Sequence, residues 1–227
     1  MTTDENLKLL TPKEFKALGK LSAFNNEEII GEFNEPATKT ENIANYAYVA
    51  YIEGDLNLEG NLSLDDWFAQ IEQTFKNDMK TKDDYIFLIW ITGSLTISGT
   101  LYNNETEHYS DSLVVEKNVK IANIVFGGTS FYVMGNLEVP GIFYTQTRSE
   151  GWFSVKGKKN IKIEVDNNFI WAVNGQYYRF YEMTEEEKHA IFLKNFDFLE
   201  YDEEEKEFDF DEELFIASLL LGEEIFK

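Results

Sequence analysis

The chain has 227 residues, of which 43% are hydrophobic and 15% aromatic, and its 42 acidic and 20 basic residues give a formal net charge of −22. This composition excludes an intrinsically disordered chain and supplies enough apolar surface for a substantial core. A field of this sign repels phosphate groups, so we expect neither nucleic acid nor an anionic membrane as a partner. Basic proteins and cations are compatible with it.

Cysteine is absent from the chain. Its absence excludes disulfide bonds, thiol nucleophiles and thiolate metal sites, and it is compatible with a reducing compartment. Residues 1–6 lack the basic segment and apolar run of a secretory signal, and no apolar run elsewhere reaches the length of a membrane span. The sequence therefore predicts a soluble, cytoplasmic protein.

A short helix is predicted near the N-terminus. Thr11 has the position of an N-cap, Pro12 that of the first helical residue, and Glu14 that of the capping-box partner. With Phe15 on its apolar side, this helix is expected to dock as a cap over the open end of the next part of the chain. Residues 1–45 are thus interpreted as an N-terminal capping segment.

A seven-residue motif recurs in the middle of the chain. In each full copy, two aliphatic residues two positions apart lie between glycines, which predicts a short strand with one buried face and tight corners at its ends. Two degenerate copies keep the apolar pair without the glycines. The full copies are Gly54–Gly60, Gly93–Gly99 and Gly135–Gly141, and the degenerate copies are Lys117–Asn123 and Lys159–Val165.

The spacing of these copies predicts a coiled β-structure. Their first residues, at positions 54, 93, 117, 135 and 159, lie 39, 24, 18 and 24 residues apart, which agrees with one copy per turn of a β-solenoid. An antiparallel sandwich would need frequent two-residue hairpin turns. Asn174-Gly175 is the only Asn-Gly or Asp-Gly pair in the chain that would favour such a turn. The fold class predicted for residues 46–181 is therefore mainly β, a single-stranded β-solenoid similar to a parallel β-helix, with a closing hairpin at Asn174-Gly175.

An amphipathic helix is predicted to interrupt the strands at residues 64–80. Ser63 precedes it at the position of an N-cap. Its apolar residues recur every four positions and are Trp67, Ile71, Phe75 and Met79. We expect this stripe to pack on the β core. The next run, Tyr85–Ile91, is too apolar for a strand with one solvent-exposed face, so we expect the inserted helix to cover it.

The composition changes at residue 182, and residues 182–227 are interpreted as an acidic helical C-terminal appendage. This segment contains 17 of the 42 acidic residues. Thr184 begins one predicted helix, and a second runs from about Asp211 to Leu221 with Gly222 as its C-cap. One face of the second helix carries Leu214, Ala217 and Leu221.

Between these two helices, residues 200–213 hold 10 acidic residues and one basic residue. Their spacing departs from that of a calcium-binding loop and lacks its central glycine, which disfavours a calcium site. Two interpretations remain open: a solvated linker, or a docking surface for a basic partner in which interleaved aromatic residues supply apolar anchors. The candidate partner-binding residues are Tyr201, Asp202, Glu203, Glu204, Glu205, Glu207, Phe208, Asp209, Phe210 and Asp211.

The sequence contains no recognisable catalytic constellation. His108 and His189 are the only histidines, and neither has a neighbour at metal-ligand spacing. A nucleophile elbow, a P-loop and a dinucleotide fingerprint are all missing. The lysines at 156, 158 and 159 form a basic cluster that chemistry on acidic sugars would need, but a solvated strand edge explains them better. We expect no enzymatic activity, no cofactor and no metal.

The repeated copies, with the segment Val115–Gly128 leading into Val133–Val139, resemble a family of bacterial β-solenoid proteins. That family repeats Gly-Asp-Leu strands and a Gly-Gly corner, and its members resemble immunity or accessory proteins of polymorphic toxin systems. The resemblance covers about residues 49–173 and carries no catalytic residues. It implies a non-enzymatic cytoplasmic immunity protein that neutralises a cognate, basic toxin domain by occluding it with an acidic surface.

Two other functions are compatible with the sequence. One is a structural β-solenoid that self-assembles end to end, which the predicted terminal helices disfavour because caps stop open edges from pairing. The other is a carbohydrate-active β-helix enzyme, which the small number of clustered basic residues disfavours.

Overall fold

The computed structural model describes most of the chain. The described residues are 6–20, 47–80, 84–103, 112–145, 152–165, 170–173, 176–179, 184, 199–202, 207–223 and 225. For 170–173, 176–179, 199–202 and 207–210 the description is limited to the backbone. Both histidines and the helix predicted to begin at Thr184 lie outside the described residues.

The protein is mainly β, and most of its strands pair in parallel. Within the described residues the strands are β1 (Leu7–Leu10), β2 (Ala47–Ile52), β3 (Leu56–Leu58), β4 (Leu62–Ser63), β5 (Tyr85–Ile91), β6 (Leu95–Tyr102), β7 (Ser112–Val115), β8 (Val119–Phe126), β9 (Ser130–Val133), β10 (Leu137–Thr145), β11 (Phe153–Val155), β12 (Lys159–Val165), β13 (Ile170–Val173), β14 (Gln176–Arg179), β15 (Leu199–Asp202) and β16 (Glu207–Phe210). The helices are α1 (Pro12–Ala17), α2 (Leu64–Phe75) and α3 (Glu212–Leu220).

Two sheets face each other, and the chain alternates between them. The first sheet has the order β1-β2-β5-β7-β9-β11, and the second has the order β3-β6-β8-β10-β12-β13-β14, with β4 also beside β6. From β2 to β12, each strand of the first sheet is followed along the chain by a strand of the second. The pairing is parallel except where β1 joins β2 and where β12, β13 and β14 meet. The antiparallel pair β13–β14 flanks the predicted turn at Asn174-Gly175.

The motif copies lie side by side in the second sheet. Pairing in register aligns one column of residues, Leu56, Leu95, Val119, Leu137 and Lys159. The fifth copy is therefore displaced from its predicted position by two residues: Val139 pairs with Ile161, not with Ile163. Gly157, not Lys159, occupies the corner.

The backbones of successive turns are in close contact at this corner. A Cβ atom on Gly135 would lie 2.5 Å from the carbonyl oxygen of Lys117 in the preceding turn, and one on Gly157 would collide with the carbonyl oxygen of Gly135. Side chains of Asx residues then join successive turns through backbone N–H groups. Asp55 accepts from Ser94 (2.7 Å), Asn118 from Asn136 (3.0 Å) and Asn136 from Lys158 (2.9 Å).

The core between the sheets is formed by aliphatic and aromatic side chains from both sheets and from α2. Ser63 caps α2 by accepting from the backbone N–H of Asp66 at 3.2 Å. Trp67 and Ile71 are buried in this core, as predicted for the inserted helix, while Phe75 and Met79 are partly buried against it. The helix itself ends at Phe75, short of the predicted residue 80.

The outer face of the first sheet is covered by α1, which has the predicted Thr11 and Glu14 capping box. Phe15 is fully buried there, with its ring 4.9 Å from that of Trp90 and 6.2 Å from that of Tyr51. This helix therefore lies on a sheet face and not over the open end, where β1 instead extends the edge. The apolar strand β5 is covered on both sides, because α1 packs on its outer side and α2 on its inner side.

Candidate functional site: the acidic hairpin and the C-terminal helix

The acid-rich segment includes a β-hairpin, where the sequence predicted a helical appendage with a linker. Strands β15 and β16 pair antiparallel, and the pairs along them are alternately apolar and acidic. The apolar pairs are Leu199 with Phe210 and Tyr201 with Phe208, and the acidic pairs are Glu200 with Asp209 and Asp202 with Glu207. The alternation Glu207-Phe208-Asp209-Phe210 has the two-residue period of a strand, so the signal for this hairpin is present in the sequence.

The candidate residues fall into three groups in the structure. Two belong to β15, Tyr201 and Asp202, and four to β16, Glu207, Phe208, Asp209 and Phe210. Asp211 is the N-cap of α3 and accepts a hydrogen bond from the backbone N–H of Leu214 at 2.9 Å. The remaining three, Glu203, Glu204 and Glu205, lie outside the described residues.

Helix α3 is attached to the outer face of the second sheet. Phe215 is fully buried and makes an edge-on contact with the ring of Tyr144 at 5.1 Å, while the hydroxyl of Tyr144 donates to Glu212 Oε1 at 2.8 Å. At the other end of the helix, Asn61 Nδ2 donates to the carbonyl of Leu220 at 2.6 Å, and Thr100 Oγ1 to that of Leu219 at 3.2 Å. These contacts fix the helix to three turns of the β-structure.

A bend in the second sheet forms the surface on which α3 packs. The register of β6 against β8 shifts between Ile97 and Thr100, and that of β10 against its neighbours shifts just before Ile142. Asn61 and Asn123 hold the bend by accepting from the backbone N–H groups of Thr100 and Ile142, both at 2.9 Å. Beyond the bend, Ile142 and Tyr144 are buried. Tyr144 lies outside the motif copies, and no pattern in the sequence singles it out.

The opposite face of α3 is apolar and exposed. Leu214 is 45% exposed and Leu221 77% exposed, and Ala217 between them is also exposed. Exposed Glu213 and Glu223 lie at the two ends of this stripe. The face predicted from the sequence, with Leu214, Ala217 and Leu221, is therefore turned to solvent. Phe215 and Leu219 form the face that is buried. We call these three exposed residues, Leu214, Ala217 and Leu221, the α3 stripe.

This arrangement has the features of a binding surface. An exposed apolar patch with a charged rim is typical of protein-interaction sites. The described exposed carboxylates beside the stripe are Glu213 at one end and Glu223 at the other. The described residues contain no group of three or more His, Cys, Asp or Glu side chains that could hold a metal ion.

A cleft of about 250 Å³ lies at the other side of the molecule, among residues of β1, α1, β2 and the end of α2. Tyr48 lines it, and burial, followed by a hydrogen bond with Asp84, raises the pKa of its phenol. The carboxylate of Asp84 also accepts from the backbone N–H of Lys80 at 2.7 Å. A phenol held protonated in this way serves as a structural hydrogen-bonding group rather than as a base.

No protein-family model, no curated protein and no solved structure matches the chain. Among the residues that the structure describes, no helix combines the length and the apolar character that crossing a membrane requires.

Proposed function

We propose that this chain is a non-enzymatic protein-binding protein, and that it works as a cytoplasmic immunity protein which occludes a basic toxin domain. The observation that carries the proposal is the α3 stripe: leucines exposed beside an acidic hairpin, on a helix that is itself firmly attached. A helix whose only role is to cover a sheet has no need of apolar residues on its outer face.

The scaffold in this proposal is a β-solenoid. The chain alternates regularly between two parallel sheets, and the corner glycines of successive turns lie against one another. Such a framework is rigid because each turn is bonded to the next through the backbone and through Asx side chains. A rigid support lowers the entropy that its binding surface loses on association.

The net negative charge of the chain favours a positively charged partner. With a net charge of −22, the chain attracts basic proteins at long range, and this attraction raises the association rate at low salt. The stripe then supplies apolar contact, while the carboxylates around it pair with Lys or Arg on the partner. A basic toxin domain has the chemistry that fits both parts.

Self-assembly into an end-to-end filament is the less favoured function. At the first edge of the first sheet, β1 runs antiparallel to β2 and interrupts the parallel stack. At the last turn, the aliphatic column Leu56, Leu95, Val119 and Leu137 ends in Lys159. A charged residue at that position disfavours stacking of a further turn, because its ammonium group would be buried.

The test uses purified toxin domains encoded beside the gene, titrated with the full chain by calorimetry. We expect one of them to bind and the double variant Leu214→Ser, Leu221→Ser to bind it at least about tenfold more weakly, since central apolar anchors each contribute more than about 1 kcal/mol.

Leu18→Ser is the matched control, because Leu18 is 48% exposed at the end of the unrelated helix α1. It should bind like the unmodified chain. Binding by none of the neighbouring toxin domains would reject the immunity function, and equal binding by the double variant would reject the α3 stripe as the site.

A further inference from the structure

The last turn of the β-structure carries a basic surface on an otherwise acidic molecule. Residues 152–162 contain four lysines and no acidic residue, in a chain of net charge −22. All four lysines are exposed or partly exposed, and Trp152 beside them is 53% exposed. We call this surface, Trp152, Lys156, Lys158, Lys159 and Lys162, the lysine corner.

The backbone of the lysine corner is held in place. Lys156 N–H donates to the carbonyl of Val133 at 2.9 Å, and the carbonyl of Lys158 accepts from Leu137 N–H at 2.9 Å. The N–H of Lys158 also donates to Asn136 Oδ1 at 2.9 Å. The lysine stems therefore project from a fixed frame, which reduces the conformational entropy lost when a ligand binds.

Lys159 closes the core at this end. It occupies the position that Leu137 has one turn earlier, and its ammonium group lies 5.1 Å from the centre of the Phe153 ring. In this cation–π contact the Lys159 side chain lies over the Phe153 ring at the end of the core, and its charge stays accessible to solvent. The last turn of the parallel strands therefore ends in a positively charged surface.

The strand beneath this surface is an edge. β11 pairs with β9 on one side, and within the described residues no strand pairs with its other side. Its ladder bonds to β9 use the carbonyl of Trp152 and the N–H of Lys156. Because backbone groups alternate along a strand, those of Phe153 and Val155 point away from β9 and suit an added extended segment.

We propose that the lysine corner binds the acidic segment 199–213 of a second copy of this chain. Charge complementarity argues for this occupant, since 10 of the residues from 200 to 213 are acidic and one is basic. The segment contains extended strands, β15 and β16, and a short segment contacts only the corner, whereas a long polyanion would also run over the acidic remainder of the surface. The inference uses the acidic segment that the proposed function also assigns to the toxin partner, but its test measures self-association without any toxin.

In a two-fold symmetric dimer, the lysine corner of each copy binds the acidic segment of the other. Each chain has one lysine corner and one acidic segment, so a symmetric dimer forms the contact twice. Repulsion between two chains of charge −22 opposes association, but at about 0.15 M salt it is screened beyond about 8 Å. The charges in direct contact then decide the outcome.

The first experiment measures the self-association of the full chain by sedimentation equilibrium at physiological salt. We expect a monomer–dimer equilibrium. The variant Lys156→Glu, Lys158→Glu should raise the dimer dissociation constant at least about tenfold, equivalent to about 1.4 kcal/mol. A chain that stays monomeric at every concentration would overturn the proposal.

A matched control separates local contact from general repulsion. Lys13→Glu with Lys76→Glu changes the net charge by the same amount, from −22 to −26 (two lysines to two glutamates, −4), at exposed positions on α1 and after α2. This control should dimerise nearly as well as the unmodified chain. An equal loss in both variants would overturn the lysine corner as the site.

A charge-swapped pair tests the identity of the occupant. Glu204→Lys with Glu205→Lys should also abolish self-association. Mixing that chain with the Lys156→Glu, Lys158→Glu chain gives a heterodimer in which one contact is native and the other has its charges swapped, so both contacts pair opposite charges. We expect heterodimers in the mixture. Failure to form them, or carbodiimide cross-links between lysine corner and acidic segment only within one chain of an isotopically mixed sample, would overturn the second copy as the occupant.

Discussion

The two helices nearest the ends of the described chain, α1 and α3, have the same internal design. Each begins with a side chain that accepts from a backbone N–H, Thr11 in α1 and Asp211 in α3. Each places one fully buried phenylalanine on the outer face of a sheet, where Phe15 contacts Trp90 and Phe215 contacts Tyr144. As covers for the two sheets, the helices are equivalent.

They differ on the face that points away from the sheet. The exposed face of α1 is charged, with Lys13, Glu14 and Lys16, and a single leucine, Leu18, is exposed at the end of the helix. The exposed face of α3 is the apolar stripe of Leu214, Ala217 and Leu221. In α1 one buried aromatic residue is enough to attach the helix to its sheet, so the exposed leucines of α3 are not needed for that role.

The largest expected effect tests the shared design. Phe15→Ala and Phe215→Ala should each lower the free energy of unfolding by about 3–5 kcal/mol, because each removes a buried ring from a close-packed contact. Chemical denaturation of the two variants measures both values. A cost below about 1 kcal/mol for Phe215→Ala alone would break the equivalence, and Phe→Leu at each position serves as the milder control.

The caps should give a smaller and again similar effect. Thr11→Ala and Asp211→Ala each remove an acceptor from the first turn of a helix, at an expected cost of about 1 kcal/mol. Hydrogen exchange at the backbone N–H groups of Glu14 and Leu214 reports the local opening. If only one variant accelerates exchange at its own helix, the two caps are not equivalent.

A still smaller effect sharpens the contrast between the outer faces. Leu214→Ser with Leu221→Ser should change the free energy of unfolding by no more than about 0.5 kcal/mol per site, as for Leu18→Ser, since the side chains are exposed. Thermal and chemical denaturation of both variants measure this. A loss of several kcal/mol in the α3 variant would show that its leucines pack within the chain and would remove them from the binding surface.

The smallest expected effect is a pH dependence specific to α1. Hydrogen bonds from the side chain and backbone of Thr11 hold the pKa of Glu14 below its ordinary value of 4.5. A carboxyl whose pKa is lower in the folded state contributes stability above its unfolded pKa and loses it as the pH falls through the folded one.

Glu14→Gln should therefore lower stability at neutral pH and have no effect at the acidic end, below the lowered pKa. Denaturation curves across the acid range give the difference between variant and unmodified chain. Glu213→Gln, which neutralises an exposed carboxyl at the start of α3, is the control. A difference for Glu14→Gln that persists unchanged at low pH would contradict the capping-box explanation.

Local sequence signals predict most elements of this fold. The Thr11 and Ser63 caps, the parallel strands at the motif copies and the antiparallel pair flanking Asn174-Gly175 follow from short-range patterns. The pattern misplaces the fifth copy by two residues because Ile161 and Ile163 match the apolar pair of the motif, whereas the structure puts Lys159 and Ile161 at those two positions. The contact of Gly157 with Gly135 at the corner depends on the tertiary structure.

The candidate site is predictable in part. Asp211 as the start of α3 and the acidic character of residues 200–213 are visible in the sequence. The density of charge there predicts a linker or a docking surface, and it obscures the two-residue period of Glu207–Phe210 that marks the strand. Tyr144 cannot be identified from the sequence, because it becomes important only where the bend turns its ring towards α3.

Composition and short-range pattern alone establish that the chain is strongly acidic, that it builds short parallel strands with tight corners, and that capped helices flank them. Tertiary structure decides where those helices lie and which side of α3 is buried. That helix is apolar on nearly all sides, so its periodicity favours no face. The bend held by Asn61 and Asn123 presents Tyr144 to Phe215, and this contact selects the buried side and leaves Leu214 and Leu221 exposed.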